Sequence, residues 1–536
     1  MNQSGEKSLT EPKAPKFSRR ALLAGAAAAS AVAAGAWRLL GSQEPPRAIE
    51  GGIVGASHEW GHRLRGGSFP TPRDERAVAV AIVGGGVAGL SAAWRLSRAG
   101  FHDYEVLELE PSAGGNSRWG ESEVTAFPWG AHYLPIPDER AVHVRELLAE
   151  LGVLRADGSF EERWLCHAPV ERLFQHGRWQ DGLYPRLGMS GGDVRALEAF
   201  RVAIAGWRAW RDGEGRPAFA IPMALSSPDP VPRALDRISM ADWLAREGLA
   251  SAPLAWYVDY CCRDDYGTSA ASTSAWAGLH YFAARDVEDA PILTWPEGNG
   301  WLVRRLLERL GDRVTTGALV HRVRPEGDCA VVDHLDTATG EARRVRCRRV
   351  VYALPRFTAP RVIEGYAAPW LGEFGYAPWV VANVTVDRLP DEASWDNVIH
   401  GSPSLGYVVA THQSLASHPG PSVLTWYRPF AELEPAAARA RMLETPWEGW
   451  VEEILADLGR AHREIRALVR RVDVMLWGHA MIRPRPGFVW GEARAEAGRP
   501  FGPVHFAHSD MSGLSIFEEA QYQGVCAADR VLDELG

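Results

Sequence analysis

The chain alternates between short, wholly apolar runs and longer stretches in which apolar residues return every three or four positions. Residues 77–83 read Ala-Val-Ala-Val-Ala-Ile-Val. That length and composition predict a strand buried on both faces. Leu90 to Ala99 has helical spacing and is closed by Gly100, and Tyr104 to Leu107 is a second short apolar run. Strand patterns recur at 318–323 and 350–354, with a turn-spaced helix at 301–310 between the two halves. A last strand end at 505–510 leads into a helix through Leu532. Amphipathic runs at 141–151, 193–211, 239–248 and 434–457 predict mixed helix and sheet in the intervening regions.

The joint between the first strand and helix is Gly84-Gly85-Gly86-Val87-Ala88-Gly89. Strand, glycine turn and helix together are the context in which G-x-G-x-x-G signals dinucleotide binding. Gly84 is expected to make the tight turn, Gly86 to leave room for a diphosphate, and Gly89 to let helix and strand approach. The helix start at Val87 and Ala88 then offers free N–H groups and a partial positive charge to the phosphates. Glu108 ends the second strand, 24 positions after Gly84, where an acid can accept hydrogen bonds from both ribose hydroxyls. Glu110 competes for that role if the strand runs two residues longer.

Gly114-Gly115-Asn116-Ser117-Arg118 follows. The stretch VLELEPSAGGNSR resembles the strand-end glutamate and GG-R of the flavoprotein superfamily that includes amine oxidases, protoporphyrinogen oxidase and carotenoid desaturases. The resemblance implies an α/β fold with a Rossmann-type (GR2-type) FAD-binding domain assembled from discontinuous segments, plus an α+β substrate domain. FAD is the implied cofactor, and Gly114, Gly115 and Arg118 would approach its diphosphate and flavin. Pro128-Trp129-Gly130-Ala131-His132-Tyr133 is similar to the segment passing the isoalloxazine ring, which points to Gly130, Ala131 and His132. Val320 would give backbone contacts to adenine, Asp510 would face the ribityl chain, and the helix start at Phe517 would aim N–H groups at the flavin. The expected FAD domain collects 77–135, 296–360 and 475–536, and the substrate domain takes 136–295 and 361–474. Expected partners are a small-molecule substrate that is oxidised or desaturated, and oxygen or a quinone as electron acceptor.

Composition narrows the chemistry. Lysine occurs only at 7, 13 and 16, so no lysine can serve the folded part as base or water holder. An amine-oxidase site of the usual lysine type is therefore not expected, whereas a non-lysine amine oxidase and a desaturase both remain open. A flavin-holding protein without turnover is the reading from another class. Candidates for the chemistry are His280 and Tyr281, in an aromatic run, and Trp477. His280 reads first as a hydrogen-bonded core residue and second as a base, while Asp264 and Asp265 read first as solvated loop acids and second as groups that could steer a cationic substrate. A net charge of −9 argues against nucleic acid as a partner. The six cysteines form no C-x-x-C, and no metal site is expected. His58-Glu59-Trp60-Gly61-His62 matches H-E-x-x-H but lies in a Gly- and Pro-rich stretch, 41–76, that reads as a flexible linker. Ser190 sits in a G-x-S-x-G spacing without the preceding strand a nucleophile needs. Residues 1–50 carry Arg19-Arg20 before an uncharged, alanine-rich run from Ala21 to Ala36. That pattern resembles a twin-arginine signal. It implies export by the machinery for folded proteins, and a periplasmic or membrane-associated location with membrane attachment through the N-terminus left open.

Overall fold

The computed structural model describes residues 48–167, 170–285, 291–390, 393–415 and 420–536. The export-signal reading falls almost wholly on residues 1–47, outside the described residues.

The stretch read as a linker is ordered from residue 50 onward. Strand β1 (Glu50–Gly55) and the one-turn helix α1 (His58–His62) precede the first long strand. The glycines that suggested flexibility have a packing role instead. Gly51 has φ +124°, and a Cβ there would lie 2.0 Å from the Val472 carbonyl oxygen, so only glycine lets β1 pair at this distance.

Strand β2 (Asp74–Val83) runs into the turn at Gly84, helix α2 (Val87–Arg98) and strand β3 (Tyr104–Leu107). The chain next leaves for the second region, where β4 (Glu171–Gln175) and β5 (Arg178–Asp181) form a hairpin followed by helices α3 (Gly191–Ala209), α4 (Ala252–Tyr266) and α5 (Ala275–Ala283). It returns with helix α6 (Gly300–Leu310) and strands β6 (Val314–Thr315), β7 (Ala318–Glu326), β8 (Cys329–Asp336) and β9 (Ala342–Tyr352). Strands β10 (Tyr376–Val386), β11 (Asp396–Ile399), β12 (Gly406–Val409), β13 (Ser422–Pro429) and β14 (Val469–Ile482) again build the second region, backed by helix α7 (Trp447–Leu458). Strand β15 (Val504–Phe506) and helix α8 (Phe517–Leu535) close the first.

The first sheet has the order β6-β3-β2-β9-β8-β7, with β15 also on β9. Its centre is parallel and the β7–β8–β9 meander is antiparallel. The second sheet has the order β1-β14-β10-β13-β12-β11-β4-β5 and is mixed. The architecture is a Rossmann-like dinucleotide-binding domain drawn from separated segments, with a separate α+β domain. Val80, Ile82, Leu90 and Val106 are fully buried between sheet and helices. Each such side chain contributes about 1.5–3 kcal/mol. Helix α8 crosses α2 so closely that a Cβ on Gly524 would lie 2.2 Å from the Ala88 oxygen. That contact brings the C-terminal helix over the glycine turn. Among the described residues, no helix is long and apolar enough to cross a membrane.

Candidate active site

The crevice lies at the carboxyl ends of β2 and β3, where α/β sheets bind dinucleotides. Gly84 has φ +106° and a Cβ on Gly89 would lie 1.9 Å from the Gly84 oxygen, so turn and helix start touch backbone to backbone. Gly86 caps α2 and no side chain satisfies the helix start, which leaves N–H groups at Val87, Ala88 and Gly89 facing the crevice. Gly86 pairs with Gly114 in a parallel bridge, and the Gly114 N–H donates to Gly85 O at 2.8 Å. A Cβ on Gly86 would meet only the Gly115 Cα, at 3.9 Å, so there is space above the turn.

Glu108 is buried against this turn. Its Oε2 accepts from the Gly85 N–H at 2.7 Å and its Oε1 from the Glu110 N–H at 2.8 Å. Burial pushes the carboxyl above its usual range, and the two N–H groups pull it back. Glu110 turns elsewhere. Its oxygens accept from the Ser57 N–H and Oγ, both at 2.9 Å, and from Arg118 Nη1 at 2.9 Å. Arg118 is buried, lies 5.0 Å from the Trp477 ring centroid, and has an Nε without a partner.

The chain from Pro128 to Tyr133 is fixed by its carbonyls. Asn383 holds Pro128 O, Trp477 holds Trp129 O and Tyr427 holds Gly130 O. The Asn299 N–H holds Ala131 O, Thr294 holds His132 O, and the Asn299 side chain holds Tyr133 O. Gly130, Ala131 and His132 therefore form a rigid strip between the two domains. Burial lowers His132 to a pKa of about 4, so its ring is neutral at pH 7.

Asp510 is buried, and its Oδ2 accepts from the Arg356 N–H at 2.9 Å and the Tyr376 hydroxyl at 2.6 Å. Its Oδ1 lies 3.1 Å from His508 Nδ1, in ion-pair range. Burial opposes ionisation here, yet His508, Tyr376 and Arg356 outweigh it and hold the carboxyl below its ordinary range. Phe517 begins α8, and its N-cap, Ile516, supplies no side-chain acceptor. Val320 is buried in β7, one residue before His321, whose ring stacks on Phe69 at 4.1 Å. An uncapped helix start, open space over Gly86 and an unpaired Arg118 Nε all fit a dinucleotide laid across this crevice.

A cavity of about 1400 Å³ opens beside the strip, ending on His132 and Tyr133. Tyr257, Tyr281 and Trp395 wall it, and Glu171, Asp264 and Asp396 face into it. Glu171 on β4 and Asp396 on β11 are register partners in a parallel pair. Burial, then Glu171 and Asp264, push Asp396 well above the normal carboxylate range. Burial and Asp265 push Asp264 up to about 7. Arg285, one of seven arginines that also line the cavity, is bound to Asp265 at 3.0 Å and packs 4.5 Å from the Tyr281 ring centroid.

The three expected catalytic residues separate. Tyr281 lines the cavity. His280, its neighbour on α5, faces the core, with Nε2 bonded to Ala220 O at 3.0 Å and its ring stacked on Trp276. Burial holds its pKa at about 4. Trp477 is bonded to Trp129 O and packed on Arg118, outside the cavity lining. Ser190 is the N-cap of α3, in a capping box with Asp193. His58 and His62 lie on α1 with ring centroids 5.6 Å apart, and no group of three or more metal-binding side chains occurs among the described residues.

A family profile described as an NAD(P)-binding Rossmann-like domain matches residues 82–151. No curated protein matches the chain. Among solved structures, a putrescine oxidase with putrescine bound is 19% identical, with a TM-score of 0.65 over 86% of this chain and 100% of that one. Cyclohexylamine oxidase from Brevibacterium oxydans IH-35A is 17% identical, with a TM-score of 0.62 over 85% and 99%. A CLA-producing fatty acid isomerase from P. acnes is 16% identical, with a TM-score of 0.60 over 84% and 98%. At these identities the likeness is one of fold: all three share the two-domain architecture described above.

Proposed function

We propose that the protein is an FAD-dependent oxidoreductase that oxidises a small organic amine and passes the electrons to oxygen or a quinone. The observation that carries the substrate class is the acidic wall of the cavity. Like charges directly opposite each other on adjacent strands destabilise a sheet. Glu171 and Asp396 nevertheless stand opposite, with Asp264 facing the same space. A cationic substrate would relieve that repulsion, and tyrosine and tryptophan faces around it add cation–π attraction. The folds of putrescine and cyclohexylamine oxidases support the amine reading, and the fatty acid isomerase supports the alternative of an apolar ligand.

Bound FAD would supply a two-electron acceptor for the hydride leaving the substrate carbon. The chain's own residues would do the rest. Gly86, Gly115, Arg118 and the α2 start would hold the diphosphate, Glu108 the ribose, and Asp510 with the α8 start the flavin end. Asp396 and Glu171 would anchor the ammonium group. Asp264, poised near pH 7, would take the ammonium proton and leave the neutral amine that oxidation requires. The N-terminal arginine pair supports export of the folded protein to the periplasm or membrane surface, on sequence alone.

Anaerobic mixing with a panel of amines and apolar polyenes tests the reading. Bleaching of the visible flavin band by amines, with KM raised at least about tenfold in Asp396→Asn, is the expected result. Bleaching by polyenes alone would overturn the substrate class. No bleaching by anything would favour a flavin-holding protein without turnover.

A further inference from the structure

The ordered lead-in before β2 crosses the crevice at three places. At its start, β1 is an edge strand on β14, in register from Glu50–Arg471 to Gly55–Met475. A Cβ on Gly55 would lie 3.9 Å from Arg118 Nη2, so the strand passes directly over this arginine. Ser57 then donates twice to Glu110, which also holds Arg118, and Glu110 is two residues from Glu108 at the turn. Beyond α1, Leu64 packs on the apolar cluster that includes Val83 and Leu107, the last residues of β2 and β3, and Val320 near the start of β7. Phe69 finally stacks on His321 with ring planes 1° apart, and Arg63 packs 5.2 Å from the Phe69 centroid. This path touches Arg118, assigned above to the diphosphate, Glu110, two residues from Glu108, and His321, one residue from Val320.

Resting on the FAD reading, we infer that residues 55–69 are a strap latched over the adenosine half of the cofactor by the Ser57–Glu110–Arg118 network and the Phe69–His321 stack. The cofactor enters before the strap docks and does not exchange while it is docked. A strap of this kind leaves a kinetic signature that a contact residue does not. A contact residue lost from a binding site raises release only. A cover that must open for passage in either direction limits both rates, so weakening its latch raises uptake and release together and leaves the affinity nearly unchanged.

The test uses the full chain, Ser57→Ala and Phe69→Ala, each stripped of cofactor and reloaded. Uptake is followed by quenching of FAD fluorescence, and release by exchange of bound FAD against excess 8-chloro-FAD. Ser57→Ala removes one charge-assisted hydrogen bond and keeps the Ser57 N–H bond to Glu110. Both rates should rise about tenfold or more in each variant, with the dissociation constant changed far less. Hydrogen exchange at residues 55–69 should rise in parallel. Unchanged rates in both variants, or faster release alone, would overturn the strap while leaving the cofactor assignment intact. Failure of the parent chain to take up FAD would instead overturn the cofactor reading, and the strap with it.

Discussion

Glu108→Ala is the perturbation that probes most of the site at once. The carboxylate accepts from two backbone N–H groups, at 2.7 and 2.8 Å, and is only 8% exposed. Alanine leaves both donors buried without acceptors. At about 1–3 kcal/mol for each buried donor left unsatisfied, the expected loss of folding stability is about 2–6 kcal/mol. Removing a carboxyl whose ionisation burial already disfavours brings the loss toward the lower end. Glu108→Gln keeps one acceptor but presents an NH₂ group to the other N–H, so its loss should be about half that of alanine. Both variants should also bind FAD more weakly, by about tenfold or more, because a charged acceptor for the ribose is gone. Urea unfolding of the cofactor-free forms gives the first quantity, provided the slope is unchanged, and FAD titration gives the second. Stabilities equal to that of the parent would refute the role of Glu108 in organising the turn. A stability loss with unchanged FAD affinity would refute its role at the ribose.

Other outcomes follow from the same geometry. Gly89→Ala places a Cβ 1.9 Å from Gly84 O and should destabilise by at least about 3 kcal/mol in urea unfolding. Ionisation of Asp264, pushed up to about 7, should make kcat/KM for an amine rise with pH through that value, and Asp264→Asn should remove that limb of the profile. Glu519 is fully buried with Oε2 unpaired, and burial raises its carboxyl to about 8. It is neutral in the folded chain and charged in the unfolded one between about pH 4.5 and 8, so unfolding releases a proton there and stability falls as pH rises. Glu519→Gln keeps the acceptor for the Met223 N–H and should flatten the decline in thermal midpoint over that window.

The glycine-turn half of the candidate site was legible because its signals are local. Strand, glycine turn and helix are contiguous, and Glu108 and the Gly114-Gly115 pair follow within one βαβ unit. The acidic wall was not legible beyond Asp264. Glu171 and Asp396 are brought opposite each other only by pairing of β4 with β11, which no local pattern encodes. His280 and Tyr281 were indistinguishable as neighbours in an aromatic run, yet on a helix adjacent positions point about 100° apart, so one meets the core and the other the cavity. The lead-in was misread because glycine serves both flexibility and close approach. At Gly51 it serves the second, against the Val472 oxygen, and this appears only once β14 lies beside it.

On the proposed reading, one FAD molecule lies across the turn at 84–89, with its flavin end near Asp510 and Phe517. The absorbance spectrum of the full-length protein purified from flavin-replete cells, with mass analysis of the cofactor released on denaturation, tests it most directly. The expected result is the visible bands of an oxidised flavin and about one equivalent of FAD. Colourless protein that stays colourless when incubated with FAD, or one that releases only a nicotinamide dinucleotide, would contradict it.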